Sequence, residues 1–370
     1  MSEIQVISDL SVGNPMNHEA LKKNMRNLPF WQYFNWWIKG YKEGHIQPVT
    51  LNKYYMTGKH IQRIAPEMLL RDLDRNRLSL QWLLNEFGKS HRHQTTLDFK
   101  THVIASLHSA VDDCFITGIS QQKIAIRTME DGWSIEKRNA VKRAAKTMTE
   151  SEYRLFKTHT DIDLRDMLKQ APIIRKSRFS TDNKFGLNKQ MSLQTRMMAI
   201  AFLLHTGARF AEAFGFTGKD IHQDTITIDK TWAYKNGGGF APTKNEASIR
   251  DVIVDESLAD DLALYVSWKQ KYFGIVDLPI LVEPEAPIYN DTFNHYFKSL
   301  LKKYGVKETN LTIHKIRHTY ISYLLNESVS PESIARQVGH TDTSMIQKVY
   351  GHLMKERAEV DKIRIMSVLR

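Results

Sequence analysis

From Pro29 to the carboxyl end the apolar residues of this chain recur mostly at spacings of three and four, and only around residues 225–254 does the period fall to two over any length. Spacings of three and four stack side chains on one face of a helix, whereas strict alternation suits a strand buried on one side. The pattern therefore predicts a mainly α fold with a small antiparallel β-sheet inserted in its second half, an α+β arrangement. At 370 residues the chain exceeds the roughly 250 at which single cores stop growing, so two domains are expected.

Residues 1–28 are polar and interrupted by Gly13 and Pro15, the pattern of an arm or tail. The stretch FWQYFNWWIKGYK then sets Phe30, Tyr33, Phe34, Trp37 and Tyr41 on one helical face, an aromatic stripe more often found in a core than as a base-stacking platform. A second helix follows Pro48, a third over EMLLRDLDRNRLSLQWLLNEFGKS with a break near Asn76, and a fourth over TTLDFKTHVIASLHSAVDDCFITGI. Residues 29–119 thus form an all-helical domain. Its cations can be a solvated face, or one basic side gripping a duplex, for which Thr50, Lys53, Lys59, Arg63, Arg92 and Lys100 are the candidate contacts. Residues 120–147, with the strand-like KIAIRTM and the basic run KRNAVKRAAK, are taken as a linker. The second domain, 148–370, opens at Thr149, with Glu152 at the spacing of a capping box.

Composition narrows the partner. Lys and Arg exceed Asp and Glu by 52 to 41, a net charge of +11 that suits nucleic acid or an acidic membrane face. No apolar run approaches the ~20 residues of a membrane helix, and MSEIQVISDL lacks the apolar stretch of a secretory signal, so a cytoplasmic protein is expected. The single Cys114 excludes an internal disulfide and a thiolate metal cage; its apolar surroundings suggest a buried packing thiol.

Four separated segments carry chemistry. AIAFLLHTGARFAEAF puts Arg209 after Gly207 at a break between helical patterns, with Glu212 one turn on. The hairpin segment APTKNEASIRDVIV offers Lys244 at a turn. LTIHKIRHTY places His314 and Arg317 at i and i+3, on one face of a helix. ARQVGHTDTSMIQKVYGHL supplies His340 after Gly339, and Tyr350 ten residues beyond it. Taken singly, each is unremarkable: Arg209 alone reads as an ion-pair partner of Glu212, Tyr350 as a packing aromatic. His314, His318, His340 and His352 lack the carboxylate or Cys that would make them a metal site.

In order and spacing the set resembles the tyrosine recombinase, or phage integrase, family. That family's pattern is a Thr-Gly-x-Arg with a nearby Glu, a hairpin Lys, a His-x-x-Arg, a Gly-His and a Tyr about ten residues later. The resemblance is strong over the second domain and extends to the first, which is similar to the family's core-binding domain. It implies two domains that clamp DNA, and a reaction in which Tyr350 attacks a backbone phosphate to give a 3′-phosphotyrosine and a free 5′ hydroxyl. Arg209 and Arg317 would clamp the phosphate oxygens, as planar guanidinium groups do. His314 would be the general base, Lys244 the acid for the departing 5′ oxygen, and His340 a hydrogen-bond partner of the phosphate. No cofactor or metal is implied. The implied partners are double-stranded attachment sites, three further copies of the chain in a homotetramer on two duplexes, and an accessory DNA-bending or directionality protein. A relaxing enzyme resembling type IB topoisomerases and a DNA-binding regulator with an idle site are the competing functions. The 28-residue arm is shorter than a complete arm-binding domain, the polar segment RKSRFSTDNKFGLNKQ is given no role, and the segment after Tyr350 resembles the tail that family members pass to a neighbour.

Overall fold

The computed structural model describes residues 18–138, 147–174, 190–274, 278–307, 309–344, 346 and 366. The chain divides into two compact units, residues 1–144 and 145–370.

In the first unit, helices α1 (His18–Arg26), α2 (Phe30–Tyr41), α3 (Pro48–Ile64), α4 (Arg77–Gly88) and α5 (His93–Asp112) surround one core. The stripe of α2 is that core: Phe30, Tyr33, Phe34 and Trp37 are buried, and Tyr41 lies exposed at the end. Burial of the two polar aromatics is tolerated because their tips are satisfied, Tyr33 Oη donating to the Ser106 carbonyl at 3.0 Å and Trp37 Nε1 to Ser109 Oγ at 2.8 Å. The break near Asn76 is a cap, since Asn76 Oδ1 accepts from the amides of Leu78 and Ser79 and starts α4.

Two expectations fail here. KIAIRTM is not a strand: side chains of α4 stand in for a partner, Gln81 accepting from Ala125 N at 2.9 Å and donating to Ala125 O at 2.8 Å, and Arg77 donating to the Lys123 carbonyl at 3.2 Å. A side-chain amide can mimic a ladder partner at one residue, which alternation in the sequence does not distinguish from a real strand. Cys114 is exposed rather than buried. It takes φ +60° just past the end of α5, and this reversal turns Phe115 and Ile116 inward, both amides donating to Ala110 O, while the thiol faces out.

The second unit is built around α7 (Leu193–Thr206), every residue of which is buried. Such a helix has no polar face to give to solvent, and its neighbours α6 (Glu150–Met167), α8 (Phe210–Ala213), α9 (Glu256–Phe273), α10 (Asn290–Lys303) and α11 (His314–Asn326) pack around it. A last helix, α12, runs Pro331–Val338. Thr149 caps α6 with the reciprocal Glu152 bond that the spacing requires. Instead of one small sheet there are two antiparallel pairs. β1 (Thr225–Ile228) pairs with β4 (Arg250–Ile253), Thr225 opposite Ile253; nested between them, β2 (Lys230–Trp232) pairs with β3 (Phe240–Pro242). The chain leaves the ladder between β3 and β4 in a 3-10 turn at Glu246–Ser248.

The polar residues of α7 are all engaged. His205, with no side-chain exposure, lies between two carboxylates, Nδ1 2.7 Å from Asp255 and Nε2 3.1 Å from Asp161. It ties the end of α7 both to α6 and to the residue that caps α9. Burial works against protonation, but the two carboxylates outweigh it and raise its pKa above the ordinary 6.5. His205→Leu should therefore cost about 3 kcal/mol in urea unfolding, because it strands Asp161 and Asp255 beside an apolar group. A group whose folded pKa is raised stabilises fully below its unfolded value. The parent's advantage over the variant should accordingly be largest below pH 6.5 and shrink as pH rises through the higher folded value. An equal difference at all pH would contradict the protonated pair.

Candidate active site

The site begins where α7 ends. Gly207 has φ +63°, and a Cβ there would come within 2.3 Å of the Tyr320 ring, so only glycine both caps α7 and lets α11 approach. Two residues on, Arg209 is the N-cap of α8, and Glu212 bonds back to it: Oε2 accepts the Arg209 amide at 2.8 Å and Oε1 accepts Nη1 at 2.6 Å. Nη1 also reaches Ser248 Oγ at 3.2 Å, and Nη2 donates to the carbonyl of Gly339 at 2.9 Å. The Arg209 side chain remains partly exposed, and its Nε makes no hydrogen bond among the described residues.

Arg317, buried on the first turn of α11, donates from Nη1 to the carbonyl of Gly207 at 3.0 Å. Each guanidinium group is thus held by a glycine carbonyl, Arg209 by that of Gly339 and Arg317 by that of Gly207. His314 begins the same helix one turn earlier and is exposed at the surface, its ring edge-on to His318. His340 follows Gly339, which ends α12 at φ +70°. Its ring is half-buried, and Nδ1 is enclosed with no hydrogen-bond partner among the described residues.

This cluster of cations sets the charge of the imidazoles. Desolvation, then Arg317, Arg209 and Arg250, push the pKa of His340 down to about 4; desolvation, Lys315 and His314 do the same to His318. His314 is lowered by desolvation and by Arg317, Lys315 and Arg209. All three are neutral at pH 7, so each can accept a proton or a hydrogen bond there. Glu212 is almost wholly buried, at 1% exposure. Burial opposes its charge, but Arg250 and Arg209 hold it below the ordinary carboxylate range.

Of the six residues singled out by sequence, His314 and His340 each lie within electrostatic reach of both Arg209 and Arg317. Lys244 is exposed in the turn after β3 and makes no hydrogen bond or ion pair among the described residues. Its turn is nonetheless tied to the cluster, since Ser248 Oγ, the acceptor of Arg209, donates to the side chain of neighbouring Asn245 at 2.6 Å. Tyr350 and His352 lie outside the described residues, as do the segment 175–189, the basic stretch 139–146 and nearly all of the tail beyond 346. Among the described residues no group of three or more His, Cys, Asp or Glu side chains could hold a metal ion, and no helix is long and apolar enough to cross a membrane.

In the first unit Thr50, Lys53, Lys59, Arg63 and Arg92 are exposed and Lys100 is partly so. At about 100° per residue, Lys59 and Arg63 share one flank of α3 while Thr50 and Lys53 lie on another. Arg63 approaches His60 at 3.1 Å, and Arg92 lies over the Trp133 ring, which Lys137 also covers.

Sequence reasoning passed over Arg250 and Ser248. A signal was available for the first: in SIRDVIV, alternation puts Arg250 on the inward face with Val252 and Val254, both buried, and an inward cation demands a buried acceptor.

Residues 180–357 match the model of the phage integrase family. The chain is 26% identical over 218 residues to the ICEBs1 integrase of Bacillus subtilis (strain 168), covering 54% of this chain and 57% of that one. Over 175 residues it is 26% identical to the tyrosine recombinase XerS of Streptococcus thermophilus (strain CNRZ 1066), covering 47% of this chain and 45% of that one. The chain therefore spans about half the length of the curated relatives it matches. Its fold is similar to that of the Tn1549 transposon integrase in complex with transposon right end DNA, at TM-score 0.61 and 17% identity over 91% of this chain and 100% of that chain. A lambda integrase dimer bound to a COC′ core site is similar at TM-score 0.56 and 16% identity, over 93% and 84% of the two chains.

Proposed function

We propose that this chain is a site-specific recombinase, an integrase that cuts and rejoins double-stranded attachment sites through a 3′-phosphotyrosine and so inserts or excises a mobile element. The observation that carries the reading is that the carbonyls of Gly339 and Gly207 hold Arg209 and Arg317, with neutral imidazoles at hand. Both guanidinium groups keep their charge at any working pH and match the two non-bridging oxygens of a phosphodiester, where negative charge grows in the transition state. Tyr350 Oη attacks phosphorus and loses its proton to His314; the bond to the 5′ oxygen breaks, and Lys244 gives that oxygen a proton. His340 donates to the phosphate. The new ester retains the bond energy, so rejoining by an incoming 5′ hydroxyl needs no nucleotide cofactor.

Residues 29–119 act as the core-binding domain with Thr50, Lys53, Lys59, Arg63, Arg92 and Lys100 toward DNA, 120–147 as the linker and 148–370 as the catalytic domain. Four copies work on two duplexes. Sequencing the DNA that flanks the gene for a direct repeat supplies the substrate; two plasmids carrying that repeat are then incubated with the full chain. Joined plasmids are the expected product. Relaxation without joining would favour a topoisomerase, and binding with neither would favour an idle regulator. Affinity for the repeat should fall by about one log unit per log of salt for each phosphate contacted, and a flat response would contradict charge-driven binding.

A further inference from the structure

Arg250 is the third guanidinium of the cluster, and it is buried. Its side chain is 7% exposed and each of its three nitrogens donates a hydrogen bond: Nε to the Gln337 carbonyl at 2.8 Å, Nη1 to the Ser248 carbonyl at 2.9 Å and Nη2 to Glu212 Oε2 at 2.9 Å. Those three acceptors belong to three separate parts of the site. Glu212 is the carboxylate that holds Arg209. Ser248 ends the turn that carries Lys244, and Gln337 lies two residues before Gly339. Gly339 closes against the same guanidinium, since a Cβ there would come within 2.8 Å of Arg250 Nη1. The side chain of Gln337 completes the latch, exchanging two hydrogen bonds of 3.0 Å with the backbone of Ile253, at the end of β4.

Resting on the recombinase reading, we propose that Arg250 is a positioning residue that fixes Arg209, the Lys244 turn and Gly339–His340 in one register through Glu212, Ser248 and Gln337. Glu212 has one carboxylate between two cations. With Arg250 drawing on Oε2, Oε1 is left to hold Arg209 at Nη1, so that its Nε stays available to a phosphate. Without Arg250, a carboxylate this deeply buried has lost one of its two compensating charges and takes up a proton more readily. Protonated, it no longer grips Arg209.

The test compares the parent and Arg250→Met in single-turnover cleavage of a nicked duplex bearing the attachment repeat, across pH 5 to 9. The variant should bind the duplex within about twofold of the parent and cleave it at least tenfold more slowly at pH 6. Its rate should recover as pH rises and Glu212 ionises, an acid limb set at higher pH than the one His314 gives the parent. Adding Glu212→Gln, which cannot ionise, should erase the limb. A merely structural role would lower the rate equally at every pH, and that result, or a parental rate, overturns the proposal. Should Arg250→Met fail to fold, Arg250→Lys decides: it keeps the cation but not the three-pronged geometry, so a tenfold loss at unchanged affinity supports the proposal and a rate within twofold of the parent overturns it. A parent that forms no covalent adduct contradicts the recombinase reading instead.

Discussion

Tyr350→Phe should bind its duplex with unchanged affinity and form no covalent adduct, a loss bounded only by the sensitivity of the gel. The substitution removes one oxygen. A phenol of pKa near 10 is a weak nucleophile at neutral pH, and it becomes a competent one only where a base takes its proton and cations favour the phenolate. In the proposed reaction Arg209 and Arg317 supply the cations, and His314, kept neutral by desolvation and by Arg317, Lys315 and Arg209, supplies the base. No other group in the proposed reaction supplies an attacking oxygen, so the effect is all or none. In the proposed reaction DNA binding rests on basic and polar contacts spread over the chain and does not need the hydroxyl. An adduct that persists in the variant would remove Tyr350 from its role.

The second large effect is expected at Arg209. Arg209→Lys keeps the charge and loses the fork, and cleavage should fall by about a hundredfold, on the order of 3 kcal/mol of transition-state stabilisation. A lysine ammonium can pair with Glu212 or reach the Gly339 carbonyl, but it cannot also present two coplanar donors to a phosphate. Because the missing interaction strengthens only as charge develops on phosphorus, the loss should fall on the cleavage rate and leave duplex affinity within a few-fold. Equal losses in affinity and rate would instead mark Arg209 as a ground-state anchor.

What the sequence discloses about this molecule is mostly local. The capping box at Thr149, the Asn76 break and the glycine that ends α7 each depend on residues within a turn of one another, and each stands where the spacing puts it. The aromatic face of α2 is likewise core at Phe30, Tyr33, Phe34 and Trp37, because period identifies a face, whereas Tyr41 at its end is exposed. Distant pairing is where the reading thins. Nothing in KIAIRTM says that side chains of α4 will replace a strand partner, and nothing around Cys114 says that the turn after α5 points the thiol outward. The cations of α3 look like one patch in a list of residues and occupy two flanks once wound on a helix. At the site, sequence order names Arg209, His314, Arg317 and His340 as a group, but the carbonyls that hold the two arginines and the Arg250 latch behind them depend on backbone from β4, α7 and α12 meeting in space. Glu212 shows the difference well. Its spacing from Arg209 suggests a simple pair, whereas the fold makes it the shared anion of two guanidinium groups.

The central claim is that one phenol takes a DNA phosphate from its 5′ oxygen. The most direct measurement traps the adduct on a nicked duplex in the presence of a metal chelator, digests it with protease and nuclease, and finds the modified residue by mass spectrometry. A 3′-nucleotide joined to the peptide containing Tyr350 is the expected result. A nucleotide on any other residue, or linkage through a 5′ phosphate, would contradict it.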